Sequence, residues 1–568
     1  MRELRAVVTV HGSLGSHGRL GQVGAGGSPS AGEVLLSERP TTWRPSQTTS
    51  LRLGGLSSHI VTGTTFIQTD IGAEPPIEGV LFTALSGGRE PFHGVRRPAL
   101  EPALGEQPRS RKRGPMDLNK WLAAAVASNA EWSKTFGPFD PHPALAVDDS
   151  RFAAAFETFT ERLKNNYPFF HPRYAGQMRK PPHPAAVVGY LTAMLINPNN
   201  HALDGGPATA TMEREVVQQL ATMFGYGTYL GHLTTSGTIA NLEALFVARE
   251  LHPEKSIAYS TEAHYTHGRM CNVLGVEGFP VPTDALGRMD LDALEEGLRG
   301  GQVGTVVLTA GTTGLGAVEP VHEALALREQ YGVRIHVDAA YGGFFTLLAG
   351  ADGPEELPVE PWQAVAKADS VVVDPHKHGL QPYGCGAVLF RDPSVGRFYL
   401  HDSPYTYFTS DELHLGEISL ESSRAGATAA ALWLTFQLLP PTREGLGQVL
   451  AAGRRAALQW ADLIENSEYL ELYQAPQLDI VSYFPVTAGH ALSAIDAASN
   501  RILHEGMTDS QDPIFLSTIR LDAVRFAGHP EVAADAAGAR ILRSVLMKPE
   551  FETHVEHLHQ RLEELARS

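Results

Sequence analysis

A lysine stands between two histidines at the end of an apolar run. In SVVVDPHKHGLQPYGCGAVLF, residues 370–390, Lys377 follows Asp374 and His376, and a second apolar strand begins at Gly386. A lysine that is partly removed from water has its charged form disfavoured, so its amine becomes more nucleophilic. A Schiff-base lysine requires this property. Most lysines are solvated surface groups, but the apolar strands on both sides argue against that interpretation here.

Asp374, His376 and His378 could alternatively bind a metal ion, because side chains at i and i+2 of a strand share one face. No second pair of ligands with suitable spacing accompanies them. The chain has only two cysteines, Cys271 and Cys385, which excludes a disulfide framework and a four-thiolate metal site. We therefore expect no metal at this position.

Three other stretches carry groups that would complement such a lysine. Residues 235–238, TSGT, stand where a helix begins, so their amides and hydroxyls can hold a dianion. Asp338 ends the apolar strand of RIHVDAAYGG, and a buried carboxylate needs a cationic partner. His264, in STEAHYTHG, offers a flat ring. Each feature alone has an ordinary explanation, such as a helix cap or a loop histidine. Together they supply the phosphate, ring-nitrogen and ring-face contacts that pyridoxal 5'-phosphate (PLP) requires.

Strands and helices alternate along the part of the chain that carries these groups. SIAYSTEAHY, TVVLTAGTT, RIHVDAAYGG and SVVVDPHK are typical of strands, and DLDALEEGLRG and VHEALALREQYG are typical of helices. This alternation predicts an α/β fold with a mostly parallel central sheet and flanking helices. Ligands bind at the carboxyl ends of such strands, and Thr312, Asp338 and Lys377 each follow a strand. From about residue 441 the pattern changes, which indicates a small C-terminal domain.

The bulk composition is that of a globular protein. Of 568 residues, 43% are hydrophobic and 19% are charged, and the formal net charge of −18 argues against a general nucleic-acid binder. The longest apolar stretch, VVGYLTAMLI, is too short to span a bilayer, and the first residues do not form a secretion signal. We therefore expect a cytoplasmic protein that binds neither nucleic acid nor membrane.

Residues 1–115 differ in composition from the rest of the chain. They contain no Tyr, Asn or Cys, are rich in Gly, Ser and Pro, and show no sustained helical or strand period. Such a segment buries too little apolar surface to offset the entropy of ordering it. We expect residues 1–115 to be a disordered extension, or a stretch that precedes the native start. The native start would then be Met116, where the helical pattern MDLNKWLAAAVASNAEW begins.

Five motifs along the chain together resemble those of one known family. HLTTSGTIANLEAL, AHYTH, TAGTTGLGAVEP, HVDAAYGG and DPHKHGLQPYGCG occur in the order and at the approximate separations of the PLP-dependent group II amino-acid decarboxylases. GGPATATMEREV and ESSRAGATAAALW look most like bacterial tyrosine (aromatic L-amino acid) decarboxylases. The resemblance covers about residues 165–440 well, the C-terminal part loosely and residues 1–115 not at all. It implies a PLP-dependent transferase fold of the type I aminotransferase-like class, with a small C-terminal α+β domain.

The resemblance also implies a domain organisation and a partner. A helical dimerisation segment would occupy residues 116–195, the large PLP-binding domain residues 196–440, and the small C-terminal domain residues 441–568. The resemblance implies an intertwined homodimer whose active sites lie at the subunit interface. We therefore expect a homodimer with shared active sites.

Individual roles follow from the same resemblance. Lys377 would form the Schiff base, Asp338 would pair with the pyridine nitrogen, and His264 would stack on one face of the ring. Arg543, in ILRSVLMKP, would grip the substrate carboxylate. The other residues implied to contact the cofactor are Ser236, Gly237, Thr238, Thr312, Ala340 and His376, with Arg424 and Gly426 approaching the phosphate from the partner subunit.

Two further stretches bear on the site. The family's HxSxxKA pattern is altered here to HYTHGRM, which leaves the roles of Thr266 and Arg269 open. Residues 398–414, FYLHDSPYTYFTSDELH, are polar and aromatic and predict a mobile active-site loop. Within this loop Tyr405 is the first candidate for the proton donor to the product, and Tyr407 is the second.

The implied reaction is release of CO2 from an L-amino acid to give the amine. The cofactor ring accepts the electrons of the bond that stands perpendicular to it, so a pocket that holds the α-carboxylate there selects decarboxylation. An aromatic substrate is the first interpretation. Two alternatives stay open: a carbon–carbon (aldehyde) lyase of the sphingosine-phosphate lyase type, and a decarboxylase of an acidic amino acid.

Overall fold

Two units make up the chain, Met1–Gln107 and Pro108–Ser568. The structure is a computed structural model that describes residues 114, 116–400 and 414–568, together with the backbone of three strands in the first unit. The three strands pair as antiparallel neighbours, and they are β1 (Leu51–Leu53), β2 (Leu56–Val61) and β3 (Thr64–Ile67). They lie within the predicted extension, and the rest of that prediction falls on residues outside the described ones.

Helices and strands alternate through most of the second unit. Its described helices are α1 (Leu118–Lys134), α2 (Asp149–Leu163), α3 (Pro184–Met194), α4 (Pro207–Met223), α5 (Gly237–Leu251), α6 (Thr266–Leu274), α7 (Leu291–Arg299), α8 (Val321–Tyr331), α9 (Glu360–Val365), α10 (Gly426–Leu438), α11 (Gly447–Glu465), α12 (Leu492–Thr508) and α13 (Val555–Arg567). Its described strands are β4 (Leu230–Thr234), β5 (Ser256–Ser260), β6 (Gly278–Val281), β7 (Val303–Thr309), β8 (Arg334–Asp338), β9 (Ser370–Val373), β10 (Gly386–Phe390), β11 (Leu470–Gln474), β12 (Ile480–Pro485), β13 (Ser517–Asp522) and β14 (Gly538–Val545).

The central sheet confirms the predicted α/β class. Among the described residues, seven strands pair in the order β4-β10-β9-β8-β7-β5-β6. Strands β6, β5, β7, β8 and β9 are parallel neighbours, and β10 runs antiparallel to both β9 and β4. Every residue of β7 and β9 is buried, as expected where helices cover both faces of a parallel sheet. Their apolar runs, VGTVVLT and SVVV, explain why these segments form central strands.

The register of this sheet brings distant residues to one edge. Thr309 in β7 pairs with Asp338 in β8, and Asp338 pairs with Val372 in β9. The residues that follow these strands therefore meet at their common carboxyl end. This edge is where an open α/β sheet binds its ligand.

A second, antiparallel sheet lies within residues 441–568. Its strands pair in the order β11-β12-β14-β13. Trp460 of α11, Tyr483 of β12 and Phe551 are fully buried in the apolar cluster beside this sheet. Strands and helices of this kind are the α+β arrangement that the sequence predicts here.

No helix in the described part of the chain is both long and apolar enough to cross a bilayer.

Candidate active site

A cavity of about 390 Å³ opens at the carboxyl edge of the central sheet. It gathers side chains from segments that are far apart in the sequence. The predicted site residues that line it are Ser236, Gly237, Thr238, His264, Asp338, Ala340, His376 and Lys377. The structure therefore brings together the lysine, the carboxylate, the flat ring and the helix start that the sequence singles out.

Lys377 presents its amine to this cavity from the turn after β9. Its Nζ lies 3.1 Å from Oδ2 of Asp374, and its side chain is 21% exposed. The backbone N–H of Lys377 donates to the carbonyl of Asp374, which holds the turn. Because Asp374 is almost fully buried, its charge needs the lysine as a partner.

Lys548 is buried and Lys180 is partly buried, but neither lysine lines the cavity. Burial lowers the pKa of Lys548 to about 7 and that of Lys180 to about 8. Lys548 donates to the carbonyl of Tyr174 at 2.6 Å, and Lys180 donates to that of Met547 at 3.4 Å. The cavity itself therefore points to Lys377 as the reactive amine.

Asp338 faces the cavity at the end of β8 and is held from behind. Its Oδ2 lies 2.8 Å from Nε2 of His267, and its Oδ1 accepts the N–H of Ala340 at 3.1 Å. Burial alone would raise the pKa of Asp338, but the hydrogen bond from His267 and the charge of Lys377 hold that pKa well below its usual range. Asp338 is therefore a carboxylate that can pair with a cationic ring nitrogen.

Sequence reasoning missed His267. It stands three residues after His264, on the first turn of α6. His264 lies just before this helix, and the N–H of His267 donates to the carbonyl of His264, so the HYTH spacing is a signal that both histidines share one turn. The altered motif HYTHGRM contains this histidine, but the roles that it leaves open are those of Thr266 and Arg269.

The start of α5 forms a cradle for an anion. Ser236 caps this helix, since its hydroxyl accepts the N–H of Ile239 at 3.3 Å. A Cβ at Gly237 would lie 2.6 Å from Oδ2 of Asp374, so only glycine allows this close approach. A helix N-terminus with free backbone N–H groups binds phosphate well.

His264 lies half-buried at the side of the cavity. Its Nδ1 is 2.6 Å from the hydroxyl of Thr266, which fixes the ring orientation. Burial lowers the pKa of His264, so its ring is neutral near pH 7. Arg269 lies with its guanidinium 4.7 Å from the ring centre of Tyr265. Thr266 therefore orients the ring of His264, whereas Arg269 packs on Tyr265.

His376, Tyr383 and Arg179 form a stack beside Lys377. The ring centroids of His376 and Tyr383 are 4.8 Å apart, and the guanidinium of Arg179 lies 5.6 Å from the Tyr383 ring centre. Nδ1 of His376 lies 2.7 Å from the carbonyl of Cys385 and donates to it. Tyr383 and Arg179 both line the cavity, and the sequence analysis identified neither.

Thr312 and Arg543 do not line the described cavity. Thr312 is fully buried, and its hydroxyl accepts the N–H of Ala317 at 3.0 Å. Arg543 donates from Nε to the carbonyl of Gly314 and from Nη2 to that of Thr313, at 2.7 and 2.6 Å. Thr313 lines the cavity, so Arg543 supports its wall. The contacts predicted for Thr312 and Arg543 stay predictions.

Arg424 and Gly426 also lie away from the cavity. Nη1 of Arg424 lies 2.6 Å from Oε1 of Glu213 and 2.7 Å from the carbonyl of Leu233. A Cβ at Gly426 would lie 2.4 Å from the hydroxyl of Thr209, so this glycine permits close packing inside the subunit. Their contact with a phosphate across a subunit interface stays a prediction.

His378 points away from the other two residues of the possible metal set. Its Nε2 lies 3.5 Å from Oδ2 of Asp479, and its ring packs edge-on against Tyr341 and Phe345. The hydroxyl of Tyr341 donates to Oδ1 of Asp479. Burial raises the pKa of Asp479 to about 6. The geometry thus gives His378 a structural environment, beneath the cavity.

Tyr405 and Tyr407 lie outside the described residues. The prediction that one of them donates a proton therefore stays a prediction.

The residues of the cavity match the chemical groups of PLP. The phosphate fits the start of α5, the ring nitrogen fits the ionised Asp338, the ring face fits His264, and the aldehyde fits the amine of Lys377. The close approach at Gly237 and the ionised Asp338 are the two observations that carry this fit.

Comparison with known proteins agrees with this geometry. Residues 156–484, more than half of the chain, match the model of the pyridoxal-dependent decarboxylase conserved domain. An L-tyrosine decarboxylase of Enterococcus faecium is 29% identical over 504 residues, which are 68% of this chain and 82% of that protein. An L-2,4-diaminobutyrate decarboxylase of Acinetobacter baumannii is 29% identical over 368 residues, covering 57% and 69%. A probable L-tyrosine/L-aspartate decarboxylase of Methanosphaera stadtmanae is 27% identical over 316 residues, covering 55% and 78%.

Solved structures show the same fold. A crystal structure described as Oryza sativa TDC with PLP and tryptamine superposes with a TM-score of 0.64 at 18% identity, covering 81% of this chain and 99% of that one. Fold and site together define a PLP-dependent enzyme of the type I fold. The chain belongs to the pyridoxal-dependent decarboxylase family, and it is a PLP-dependent amino-acid decarboxylase. This confirms the predicted family, cofactor and reaction class.

Proposed function

We propose that this decarboxylase acts on an aromatic L-amino acid, tyrosine or a close analogue. The observation that carries the proposal is the set of aromatic side chains in the cavity wall, namely Tyr265, Tyr341 and Tyr383. Aromatic rings favour offset or edge-on contacts with other rings, so such a wall suits an aromatic substrate. The Enterococcus faecium relative is named for the same substrate.

The charges in the cavity argue against a cationic substrate side chain. Two carboxylates line the described cavity, Asp338 and Asp374. Asp338 is hydrogen-bonded to His267, and Asp374 forms an ion pair with Lys377. Among the described lining residues, no free carboxylate remains to pair with a second amine. A diaminobutyrate side chain would therefore lose its solvation without gaining an ion pair.

The chain's own residues orient and sequester the reacting groups. The start of α5 would hold the cofactor phosphate, Asp338 the ring nitrogen, His264 one ring face and Lys377 the aldehyde carbon. When bound, the cofactor accepts the electron pair that the departing carboxylate leaves behind. Asp338 would keep a proton on the ring nitrogen and so favour that transfer, while the amine of Lys377 stands within reach to move a proton.

An acidic substrate is the second candidate, and Arg179 is the observation that favours it. Its guanidinium lines the cavity and packs over the rings of Phe169 and Tyr383, at 5.2 and 5.6 Å from their centres. It forms no ion pair with another described residue. A substrate carboxylate would supply that partner. The Methanosphaera stadtmanae relative is named for both tyrosine and aspartate.

A panel of L-amino acids tests both candidates. The full-length enzyme, loaded with PLP, is assayed for CO2 and amine with tyrosine, dopa, phenylalanine, aspartate, diaminobutyrate and lysine. We expect the highest kcat/KM with tyrosine or dopa. A preference for aspartate would select the acidic candidate. Release of a long-chain aldehyde from a phosphorylated sphingoid base, without CO2 from any amino acid, would contradict the assignment.

We also propose that the enzyme is a homodimer that uses residues 116–195 as its dimerisation segment. Helix α2 buries none of its residues in a single subunit. Phe152, Phe156 and Phe159 on this helix are 61%, 54% and 54% exposed, and Trp132 on α1 is 50% exposed. An apolar surface of this kind marks a protein interface. Sedimentation of a Phe152→Glu, Phe156→Glu double variant should show a shift toward monomer, and unchanged sedimentation would count against this segment.

A cytoplasmic location completes the proposal. Both cysteines, Cys271 and Cys385, are buried and unpaired, which suits a reducing compartment.

A further inference from the structure

His267 contacts the reacting region only through Asp338. Its Nε2 lies 2.8 Å from Oδ2 of Asp338, and its side chain is fully buried. It does not line the cavity, so neither substrate nor cofactor would contact it. Among the described residues, Asp338 is therefore the group through which His267 can affect the reaction.

The contacts of His267 place a proton on Nε2, the ring nitrogen that faces Asp338. Its Nδ1 is buried, and no described protein group lies within hydrogen-bond distance of it. A proton on Nδ1 would leave a buried donor unsatisfied, which is costly. From the segment just before its helix it faces His264, from β8 it faces His336 and Asp338, and from β5 it faces the ring of Tyr259. His336 bonds to Ser370 and Asn241, and burial lowers its pKa to about 3, so it places no charge beside His267.

The tautomer follows from these contacts. Nε2 carries the proton that is donated to Asp338. The carboxylate thus receives one hydrogen bond from His267 and one from the N–H of Ala340. Both bonds stabilise the charged form of a group that burial would otherwise make neutral.

We propose that His267 is a positioning residue that keeps Asp338 ionised and oriented toward the cofactor ring nitrogen. Without this donor, burial shifts Asp338 toward its neutral form. A neutral carboxyl cannot hold the proton on the ring nitrogen, and the cofactor then binds less tightly. The proposal goes beyond the proposed function because it does not depend on which amino acid is decarboxylated.

A matched pair of variants tests the hydrogen bond separately from packing. His267→Met removes the donor, and His267→Gln has a similar length and retains an N–H. The first measurement is the dissociation constant of PLP from the apoenzyme, followed by titration of the bound cofactor's absorbance from pH 6 to 9. We expect His267→Met to weaken PLP binding about 10- to 100-fold, as for a lost hydrogen bond to a charged group. Its absorbance should also become pH-dependent, and His267→Gln should recover most of both properties.

Kinetics give a second readout. Because His267 does not touch substrate, His267→Met should lower kcat and leave KM within about twofold. In the Asp338→Asn background the same substitution should add nothing to the loss of PLP affinity, since both changes act on one contact. Should His267→Met not fold, His267→Phe takes its place, because it keeps a planar ring without the donor.

Three results would overturn the proposal. The first is wild-type PLP affinity and a wild-type absorbance titration in the variant that lacks the donor. The second is equal loss in the Gln and Met variants, which would show that His267 only fills space. The third is additive loss with Asp338→Asn. PLP affinity is measured without substrate, so these outcomes are independent of the proposed substrate class.

Discussion

The floor and the mouth of the cavity are built in different ways. We define the floor as Asp338, Asp374, Lys377 and residues 236–238, and the mouth as Arg179, Tyr265 and Tyr383. Asp338 and Asp374 are 4% and 2% exposed, whereas Tyr265 and Tyr383 are 67% and 57% exposed.

The contacts in the two regions differ in kind. Floor groups are held by charge-assisted hydrogen bonds, such as the 2.8 Å contact between His267 and Asp338. Mouth groups are held mainly by the stacking of Arg179 and Tyr383. Removing one partner of a buried charge pair strongly destabilises a protein, whereas an exposed contact contributes little to stability. The reaction centre is therefore rigidly specified, while the substrate-facing side can change at little cost in stability.

The largest effect should come from the floor, at Lys377. Lys377→Ala should lower kcat by a factor on the order of 10⁴, because the group that binds the aldehyde and moves the proton is lost. Assay of CO2 release checks this. Borohydride reduction and peptide mapping of the parent enzyme should place a pyridoxyl group on residue 377. Lys367→Ala, at an exposed lysine, is the control. A pyridoxyl group on Lys180 or Lys548 instead would move the reactive amine out of the cavity floor.

Asp338 should give the second-largest effect. Asp338→Asn retains the shape of the carboxyl group but cannot hold a proton on the ring nitrogen. We expect kcat to fall by roughly 10²- to 10³-fold, the usual loss for one electrostatic contact in an active site. The exposed Asp352→Asn is the control, and thermal unfolding shows whether the fold is kept. Near-normal kcat in Asp338→Asn would show that the floor does not work through this carboxylate.

Sequence predicts the floor better than the mouth, for a physical reason. Strands with continuous apolar runs must be buried, and parallel strands share one carboxyl edge, so Asp338 and Lys377 had to meet. Arg179 precedes α3 and reaches the cavity through tertiary packing that no local pattern encodes. His267 was missed although its spacing from His264 was visible, because a buried partner cannot be read from one strand alone. Arg543 donates to the carbonyls of residues 313–314, and its predicted contact with the substrate carboxylate stays a prediction.

Beneath the floor, Asp479 should make stability depend on pH. Burial raises its pKa from 3.8 to about 6. The folded protein therefore holds the proton of Asp479 more tightly than the unfolded chain does. The protonated side chain stabilises the fold fully below pH 3.8, and this stabilisation is lost as pH rises to about 6. Between pH 5 and pH 7 the titration of Asp479 should lower the free energy of unfolding by about 1–2 kcal/mol. Urea unfolding at pH 5, 6 and 7 measures it.

Asp479→Asn is the matched test, because an amide can accept from Tyr341 without titrating. Its unfolding free energy should fall less than that of the parent between pH 5 and pH 7. Identical pH profiles for the two proteins would mean that Asp479 is ionised in the folded state over the whole range from pH 5 to pH 7.

The smallest effect should come from the mouth, at Arg179. If its guanidinium pairs with a carboxylate on the substrate, Arg179→Gln should lower kcat/KM for aspartate about fivefold relative to tyrosine, since an exposed ion pair contributes little. Arg179→Lys keeps the charge but loses the planar stacking on Tyr383, so it should fall between the parent and the Gln variant for aspartate. Arg299→Gln, at an arginine whose side chain is 62% exposed, is the control. A larger loss for tyrosine than for aspartate would mean that the guanidinium acts by stacking on an aromatic substrate. An unchanged ratio in all variants would remove Arg179 from the substrate contacts and leave the aromatic rings alone to define the mouth.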